Sequence, residues 1–462
     1  MKTNITTRNF SNRISSLSIL QLIFTCIVLM LQLSCKKDRD DSPEVKFTEV
    51  DVATKWADMS LAVLKSTAGN SPTYASRSLG YLGLTMYESV VNSVSTHRSL
   101  GSQLEGLALP TFHQAEYNWS LVLNSGQSTL IKLLYPRANK SKIDSLFSAI
   151  ERNVSKANSN DVNARSIEWG NAVALAIYEW STTDGGHNGY LANFDLTFAV
   201  PVGPSYWAPS GFSQSLSSMP LHPRWGRNRT FISSNKALPI PSIIPYSTNP
   251  TSDFYKIYKA VYDKNITLSI AEKETAAWWG DDPSETFSPP GHSYQLATIA
   301  IKKSKANLIT AAEAYARTGM AVADAFINCW KAKYTYFNLR PSKFINANVA
   351  PWRPYWPEPP FPAFPSGHAT QSAAAATVLT AIFGDNFSFV DNTHQGHRRT
   401  DFEGTFSDLK FPARSFSSFW DAANECARSR FLGGIHTKYD NDIGQEEGVK
   451  IGANVNSLMW RN

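Results

Sequence analysis

Apolar residues recur at three- and four-residue spacing through most of the chain, and this periodicity is the feature that most constrains the fold. Leu79, Leu82, Met86 and Val90 illustrate the pattern, which is that of a helix with one buried face. Few stretches alternate as strands do. We therefore predict an all-α fold of bundled helices with long loops over one end. The predicted helices cover residues 51–66, 76–94, 112–134, 139–157, 163–181, 252–262, 268–280, 291–306, 309–338, 367–383 and 415–432.

The first 34 residues form a predicted signal peptide. A basic start is followed by an apolar run from Ile19 to Leu33, which at 15 residues is short for a membrane-spanning helix. The next two residues, Ser34 and Cys35, resemble the end of a bacterial lipoprotein signal, with Cys35 as the acylated residue. Ordinary secretion and a retained anchor are the alternatives. The predicted organisation is a signal peptide (1–34), a charged tether (35–48) and one α-helical domain (49–462).

The leader also predicts the compartment. We expect an exported protein, held at the outer membrane or cell surface only by the lipid on Cys35, or otherwise a periplasmic or secreted one.

Without Lys2, Arg8 and Arg13 of the leader, 41 basic residues stand against 38 acidic ones. That near balance argues against a nucleic-acid partner.

Two cysteines, Cys329 and Cys426, remain in the predicted domain. Each lies in an apolar helical pattern, which favours two buried free thiols. A disulfide between them in an oxidising compartment is the alternative.

Lys333 and Arg340 are the first candidate site residues. They are seven residues apart at the end of a predicted helix, so both cations can project from one face, and Pro341 is expected to stop the helix. A solvated basic face is the ordinary explanation of such a pair.

The second candidate segment is Phe364-Pro365-Ser366-Gly367-His368, which runs into an alanine-rich stretch. Prolines before a small residue and alanines after it place Ser366 and Gly367 at a helix N-terminus, where free N–H groups and the helix dipole favour an anion. Ser366 adds a hydroxyl, and Gly367 allows the backbone to approach an anion closely. An ordinary serine N-cap is the alternative.

The third candidate segment runs from Arg430 to Asp440. Arg430 lies near the end of a predicted helix, the Gly433-Gly434 pair turns the chain, and His436 and Asp440 follow at i and i+4. That spacing lets the carboxylate orient the imidazole through one ring nitrogen and leaves the other nitrogen free. A surface histidine–aspartate pair is the alternative.

Together the three segments provide a set of donors matched to a multiply charged tetrahedral oxyanion. Their pattern resembles the superfamily that unites vanadium-dependent haloperoxidases with type 2 phosphatidic acid phosphatases, and the match covers residues 333–440 without substitution. The resemblance implies a helical-bundle fold of that type. It also implies an oxyanion cage made of Lys333, Arg340, Ser366, Gly367, His368, Arg430 and His436.

The resemblance implies a role for each of these positions. Bound vanadate, or phosphate in the same place, would have His436 as its axial partner: a vanadium ligand in one branch, a phosphoryl-accepting nucleophile in the other. His368 would transfer protons, Lys333 would polarise bound peroxide, and Asp440 would orient His436. The equatorial oxygens would be held by Lys333, Arg340, Ser366, the Gly367 N–H and Arg430.

Several features favour the haloperoxidase branch. No second apolar run of membrane-spanning length exists, whereas lipid phosphatases of the superfamily carry membrane helices. The segment around Asp281 resembles the haloperoxidase stretch whose aspartate pairs with the second arginine, here Arg430, with Asp282 as a one-residue rival. Trp330 and Phe361 occupy positions that resemble walls of the halide pocket, although each is also an ordinary core residue by type.

The expected activity is therefore oxidation of a halide by hydrogen peroxide to hypohalous acid, with iodide or bromide as the easier substrates. An acid phosphatase that forms a phosphohistidine at His436 is the alternative enzyme. A catalytically silent oxyanion-binding lipoprotein is the alternative outside enzymes. The remaining histidines belong to no motif and are interpreted as surface or structural: His97, His113, His187, His222, His292, His394 and His397.

Overall fold

The computed structural model describes residues 47–283, 285–401 and 408–462. Phe47–Asn462 form one compact unit, and its secondary structure is mostly helical, which confirms the predicted all-α class. No helix in the described ranges is both long and apolar enough to cross a bilayer.

The predicted signal peptide (1–34), the acylated Cys35 and the tether as far as residue 46 lie outside the described residues. The tether's last residue, Thr48, is described and caps the first helix: its side chain accepts from the Asp51 N–H while Asp51 accepts from the Thr48 N–H.

The first helices are α1 (Glu49–Ser66), α2 (Pro72–Val90), α3 (Trp119–Leu134), α4 (Lys140–Val154) and α5 (Asn160–Thr182). The long region between the predicted helices 163–181 and 252–262 contains α6 (Ser233–Lys236) and the 3-10 turns Gly189–Leu191 and Trp225–Arg227. The helices after it are α7 (Asp253–Asn265), α8 (Ile270–Trp278), α9 (Ser288–Ser304), α10 (Leu308–Tyr336), α11 (Pro341–Asn348), α12 (Gly367–Phe383), α13 (Phe419–Leu432) and α14 (Lys438–Asn456).

Helix α10 is the centre of the core, and nearly all of its residues before Lys333 are buried. It packs against α2, α9, α12 and α14. Helix α12 also packs closely on α14, and glycines of α14 allow this approach. A Cβ at Gly448 would lie 2.3 Å from the carbonyl oxygen of Thr370, so only glycine fits at this contact.

The prediction that Pro341 stops a helix bearing both Lys333 and Arg340 is wrong. Helix α10 ends at Tyr336, because Phe337 adopts a left-handed conformation with φ of 51°. Pro341 instead begins α11, with Arg340 as its N-cap residue, because proline is well suited to the first position of a helix. The two cations are therefore brought together by a turn and not by a shared helix face.

Short strands lie between α12 and α13: β1 (Phe389–Asp391), β2 (Arg398–Thr400), β3 (Asp408–Lys410) and β4 (Arg414–Phe416). β1 pairs antiparallel with β4, with Phe389 opposite Phe416 and Asp391 opposite Arg414. β2 pairs antiparallel with β3, with Arg399 opposite Leu409. The turn after β1 brings His394 to the core, where it meets the segment that follows α8.

Candidate oxyanion site

A cavity of about 480 Å³ lies at the N-terminus of α12. Its lining includes residues of the second and third candidate segments. Arg340, from the first candidate pair, reaches the same site through its contact with His436. The lining residues that bear on the chemistry are Gly367, His368, Arg430, His436, Phe326, Trp330 and Phe361.

His436 is held in the turn between α13 and α14. Gly433 caps α13, and Gly434, with φ of 78°, reverses the chain toward the cavity. The His436 Nδ1 atom lies 3.2 Å from Oδ2 of Asp440, so the contact predicted from the i and i+4 spacing is present. The same Oδ2 accepts from the N–H of Thr437 at 2.9 Å.

These contacts fix the protonation pattern of His436. A carboxylate oxygen accepts at Nδ1, so Nδ1 carries the proton and Nε2 keeps its lone pair. Burial, together with the charges of Arg340 and Lys333, holds the His436 pKa well below its ordinary value. Burial raises the pKa of Asp440 to about 6. At neutral pH the site therefore offers a neutral imidazole with one open nitrogen.

Arg340 faces that open nitrogen. Its Nη1 atom lies 3.1 Å from Nε2 of His436 and donates to the carbonyl of Ile435 at 2.9 Å, while Nε donates to the carbonyl of Phe361 at 3.0 Å. The Nη2 atom is buried and has no hydrogen-bond partner among the described residues.

Arg430 is the second fully buried guanidinium of the site. Its Nη1 atom donates to the carbonyl of Trp279 at 2.6 Å and lies 3.3 Å from Nε2 of His368. Its Nε and Nη2 atoms find no partner in the part of the chain that the structure describes. The neighbouring His368 is a neutral base at pH 7, because burial and the Arg430 charge hold its pKa well below the ordinary value.

Lys333 is fully buried behind the cavity. In its charged form the Nζ atom donates to the carbonyls of Pro362, Ala363 and Pro365 at 2.9, 2.6 and 2.6 Å, so all three of its hydrogens are used. Burial lowers the Lys333 pKa to about 7. Direct donation by Lys333 to an anion therefore stays a prediction, since one of these three bonds would have to be exchanged.

The N-terminus of α12 has the predicted form. Ser366 is the N-cap residue, is fully buried, and accepts from the Ala369 N–H at 3.4 Å. Its own N–H donates to the carbonyl of Asp440 at 3.0 Å, which ties the start of α12 to the start of α14. Gly367 lines the cavity as the first helical residue.

The donor set fits a tetrahedral oxyanion. Lys333, Arg340 and Arg430 form no ion pair with a carboxylate of the described residues, and both guanidinium groups keep buried N–H donors without partners there. Burial lowers the pKa of all three cations. Burying unpaired charge is costly, so a multiply charged anion would satisfy the open donors and offset that cost.

The predicted pairing of Asp281 with Arg430 is wrong in the described structure. Asp281 instead accepts from His292 Nδ1 at 2.7 Å and from His394 Nε2 at 2.8 Å. It has a left-handed backbone with φ of 49°, which turns the carboxylate toward α9 and the turn after β1. The rival Asp282 also forms no bond with Arg430 and accepts from Gln214 at 2.7 Å.

His292 and His394 are thus site neighbours that sequence reasoning missed. Their partner Asp281 is separated from them by 11 and 113 residues in the sequence, so no local spacing could reveal the contacts. The interpretation of His292 and His394 as structural, rather than surface, residues is the one that fits their burial.

Trp330 and Phe361 form one wall of the cavity. Their ring centroids are 4.8 Å apart at 48°, and Phe361 also lies beneath the charges of Lys333 and Arg340, at 5.2 and 5.1 Å. The predicted position of both rings beside the site is therefore observed. Their role toward a halide stays a prediction.

The two cysteines, Cys329 and Cys426, are buried and unpaired, as the helical pattern favoured.

The comparison with solved structures decides the family. The crystal structure titled as the first bacterial vanadium-dependent iodoperoxidase is 30% identical to this chain, with a TM-score of 0.78, and the match covers 91% of this chain and 99% of the other. The chain belongs to the vanadium haloperoxidase superfamily.

Two further relationships agree with membership in the vanadium haloperoxidase superfamily. A family model described as the VCPO second helical-bundle domain matches residues 313–461, the stretch that contains the whole predicted cage. The apo and holo structures of a bacterial vanadium-dependent chloroperoxidase share the fold at 16% and 17% identity, with TM-scores of 0.67 and 0.68. They cover 84% and 90% of this chain and 94% and 98% of theirs. No curated protein sequence matches.

Proposed function

We propose that this superfamily member is a vanadate-dependent haloperoxidase that oxidises iodide or bromide with hydrogen peroxide to hypohalous acid. The observation that carries the proposal is the position of His436. Its Nε2 lone pair faces a guanidinium group with an open donor, at a cavity lined by a second guanidinium group and a second histidine. Iodide is favoured further by the 30% identical structure, which is titled an iodoperoxidase.

The residues divide into those that hold vanadate and those that act beside it. His436 Nε2 would ligate the vanadium, and Asp440 positions that ring through Nδ1. The oxygens would be held by Arg340, Arg430, Ser366, the Gly367 N–H and the charge of Lys333. When bound, vanadate supplies a Lewis acid that activates peroxide without changing its oxidation state.

His368 is the candidate proton acceptor for hydrogen peroxide. It lines the cavity, and its low pKa keeps the ring neutral at pH 7. The Arg430 guanidinium, 3.3 Å from Nε2, donates toward this nitrogen, so Arg430 would have to turn to the bound anion before Nε2 accepts a proton. A neutral imidazole within reach of the substrate is the group that general-base catalysis requires.

Trp330 and Phe361 would form the apolar side on which the halide approaches. Iodide and bromide are large, weakly hydrated anions, and an aromatic wall backed by two cations suits them better than a strongly hydrated anion. The two rings do not by themselves choose between the two halides.

The test uses the full chain, freed of bound anions and then loaded with vanadate. Iodide and bromide oxidation with hydrogen peroxide is measured beside p-nitrophenyl phosphate hydrolysis without vanadate, and the His436→Ala variant is the control. Vanadate-dependent halide oxidation that the variant lacks supports the proposal. Hydrolysis of the phosphate ester without halide oxidation would show a phosphatase, and vanadate binding without either activity would show an oxyanion-binding protein.

We also propose that the chain is exported and anchored only through a lipid on Cys35. The support is the sequence alone: the apolar run that ends at Leu33, followed by Ser34 and Cys35. Labelling with an alkyne fatty acid in the expressing bacterium should mark the protein, and Cys35→Ser should remove the label. Equal labelling of both forms contradicts the anchor.

A further inference from the structure

Four buried side chains outside the cage form one continuous hydrogen-bonded chain, His394–Asp281–His292–Asp391, here called the carboxylate–imidazole chain. His394 Nε2 lies 2.8 Å from Oδ1 of Asp281, and His292 Nδ1 lies 2.7 Å from Oδ2 of the same residue. His292 Nε2 lies 2.8 Å from Oδ2 of Asp391. The chain joins three segments: the end of α8, the start of α9 and the turn after β1.

The geometry fixes the charge of His292. Both ring nitrogens face carboxylate oxygens at hydrogen-bond distance, and a carboxylate can only accept, so both nitrogens must carry a proton. The Trp279 ring stacks on this imidazole at 4.7 Å and 21°, as an aromatic face does with a cation. The titratable groups around His292 are Asp281, Asp391 and the His394 ring, whose centroid is 5.0 Å away.

Burial disfavours a charged imidazole, but the two aspartates outweigh it and raise the His292 pKa. The charge of His292 and the hydrogen bonds from His292 and His394 likewise outweigh burial at Asp281 and lower its pKa. Asp281, His292 and Asp391 are therefore alternating charges that satisfy one another.

The cluster of Asp281, His292 and His394 also has the composition of a metal site. The distances between its nitrogen and oxygen atoms, however, fit hydrogen bonds better than ligation of one metal ion. Neighbouring ligands of a tetrahedral zinc ion with bonds of about 2.1 Å are roughly 3.4 Å apart. Here each ring nitrogen is 2.7 or 2.8 Å from its own carboxylate oxygen, which is the separation of a charge-assisted hydrogen bond.

The carboxylate–imidazole chain is linked to the oxyanion site by the backbone segment that precedes Asp281. Asp281 has a left-handed conformation that is uncommon outside glycine, and the two imidazoles hold its carboxylate in place. Two residues earlier, the carbonyl of Trp279 accepts from Nη1 of Arg430 at 2.6 Å. Trp279 is thus fixed at both ends, by its ring on His292 and by its carbonyl on Arg430.

We propose that the carboxylate–imidazole chain, with His292 as a permanent imidazolium, is a positioning unit that sets the Trp279 carbonyl and thereby aims the open donors of Arg430 at the bound anion. The proposal rests on the proposed function only in that Arg430 binds the oxyanion. Its members are positioning residues: Asp281 lines the cavity, but its carboxylate is engaged by His292 and His394, and the route to the anion runs through Trp279 and Arg430.

The charge state is tested by histidine-selective ¹⁵N NMR on the full chain, with the His292 signals identified by their loss in His292→Asn. Two protonated ring nitrogens from pH 6 to pH 9 are expected. A neutral ring, or zinc found in the purified protein by elemental analysis at one ion per chain, overturns the assignment. This measurement needs no vanadate, so its result does not depend on whether the proposed function is correct.

The positioning role is tested by vanadate affinity. Asparagine in place of His292 keeps a donor toward Asp281 but loses the charge and the reach to Asp391, and we expect about tenfold weaker binding. The matched control is His97→Asn, which breaks a partly buried histidine–carboxylate contact, to Glu313 at 3.1 Å, and should lower only the melting temperature.

A double-mutant cycle with Arg430→Lys then separates positioning from general destabilisation. If His292 acts through Arg430, the His292→Asn change has little further effect on affinity in the Arg430→Lys background. Equal losses in both backgrounds, or an equal loss from His97→Asn, refute the positioning role. Absence of vanadate binding by the unaltered protein would refute it together with the proposed function.

Discussion

The Nη1 atom of Arg340 lies 3.1 Å from the Nε2 atom of His436, so the guanidinium donates to the lone pair that would ligate vanadium. The two groups satisfy each other only in part, because Nη2 of Arg340 has no partner among the described residues. An oxyanion placed between them would take over the Arg340 donors and release the His436 lone pair for the central atom. Ligand binding at this site is therefore an exchange of partners between two groups that already lie in contact.

The first prediction separates the two histidines of the cavity. His436→Ala should abolish vanadate binding, because no other described imidazole faces Arg340. His368→Ala should leave the vanadate dissociation constant within a fewfold and slow halide oxidation by about 10²- to 10⁴-fold, the usual contribution of a general acid–base group. Equilibrium dialysis and steady-state kinetics measure the two effects. Full vanadate-dependent peroxidase activity in His436→Ala would show that the ligand is assigned wrongly.

The second prediction concerns Asp440, which both orients His436 and completes the capping box of α14 with Thr437. Asp440→Ala should weaken vanadate binding by about 10- to 100-fold and lower the free energy of unfolding by about 1 kcal/mol. The matched control is Asp51→Ala, which removes the same kind of capping box at the start of α1. It should show the loss of stability without the loss of affinity. Similar vanadate affinities in the two variants would contradict the orienting role.

The third prediction is a proton uptake linked to anion binding. The Lys333 pKa is about 7 in the anion-free site because of burial, and a nearby anion favours the charged form and raises that pKa. At pH 8 most of the lysine is neutral before binding and protonated afterwards, so about one proton is taken up and affinity falls as pH rises above 7.

Calorimetry with tungstate at pH 8, in two buffers of different ionisation enthalpy, measures that uptake. Tungstate does not itself titrate near this pH. Lys333→Met is the control, since it removes the titrating group and should remove the uptake assigned to it. An unchanged proton uptake in Lys333→Met would assign the proton to another group, such as one of the cavity histidines.

The fourth prediction uses two glycines to test the packing that supports the site. Gly448→Ala should lower the free energy of unfolding by about 1–3 kcal/mol or more, because its Cβ would lie 2.3 Å from the backbone carbonyl of Thr370. Gly367→Ala should fold normally, because its Cβ would meet Trp330 at 3.6 Å and Cys329 at 4.0 Å, which are ordinary contacts. Thermal denaturation compares the two. Equal melting temperatures would contradict the close α12–α14 contact.

Much of the site could be predicted from sequence because its parts are local. A serine before glycine and an alanine-rich run indicates a helix N-terminus wherever it occurs, and Ser366 is that N-cap. The His436–Asp440 contact likewise depends only on a short spacing. The family resemblance then grouped segments that no periodicity could have placed together.

The errors arose where tertiary structure overrides local signals. Proline can both end and begin a helix, so Pro341 alone does not show where helix α10 ends. The helix ends at the left-handed Phe337, and a left-handed residue that is not glycine gives no signal in the sequence. The sequence pattern does not predict helix α14, because the glycines that let it approach α12 interrupt its apolar pattern. It also predicts the wrong partner for Asp281, since His292 and His394 come from other segments of the chain and only the fold brings them to it.

The three buried cations, Lys333, Arg340 and Arg430, make the thermal stability of the purified protein depend on the anions in its buffer. Any tetrahedral oxyanion that enters the cage binds the folded chain and not the unfolded one, so it adds about 2.7 kcal/mol to stability at a hundred times its dissociation constant. Resistance to heat therefore reports how much oxyanion surrounds the protein. Inorganic phosphate in a growth medium or buffer would occupy the site and compete with vanadate for binding.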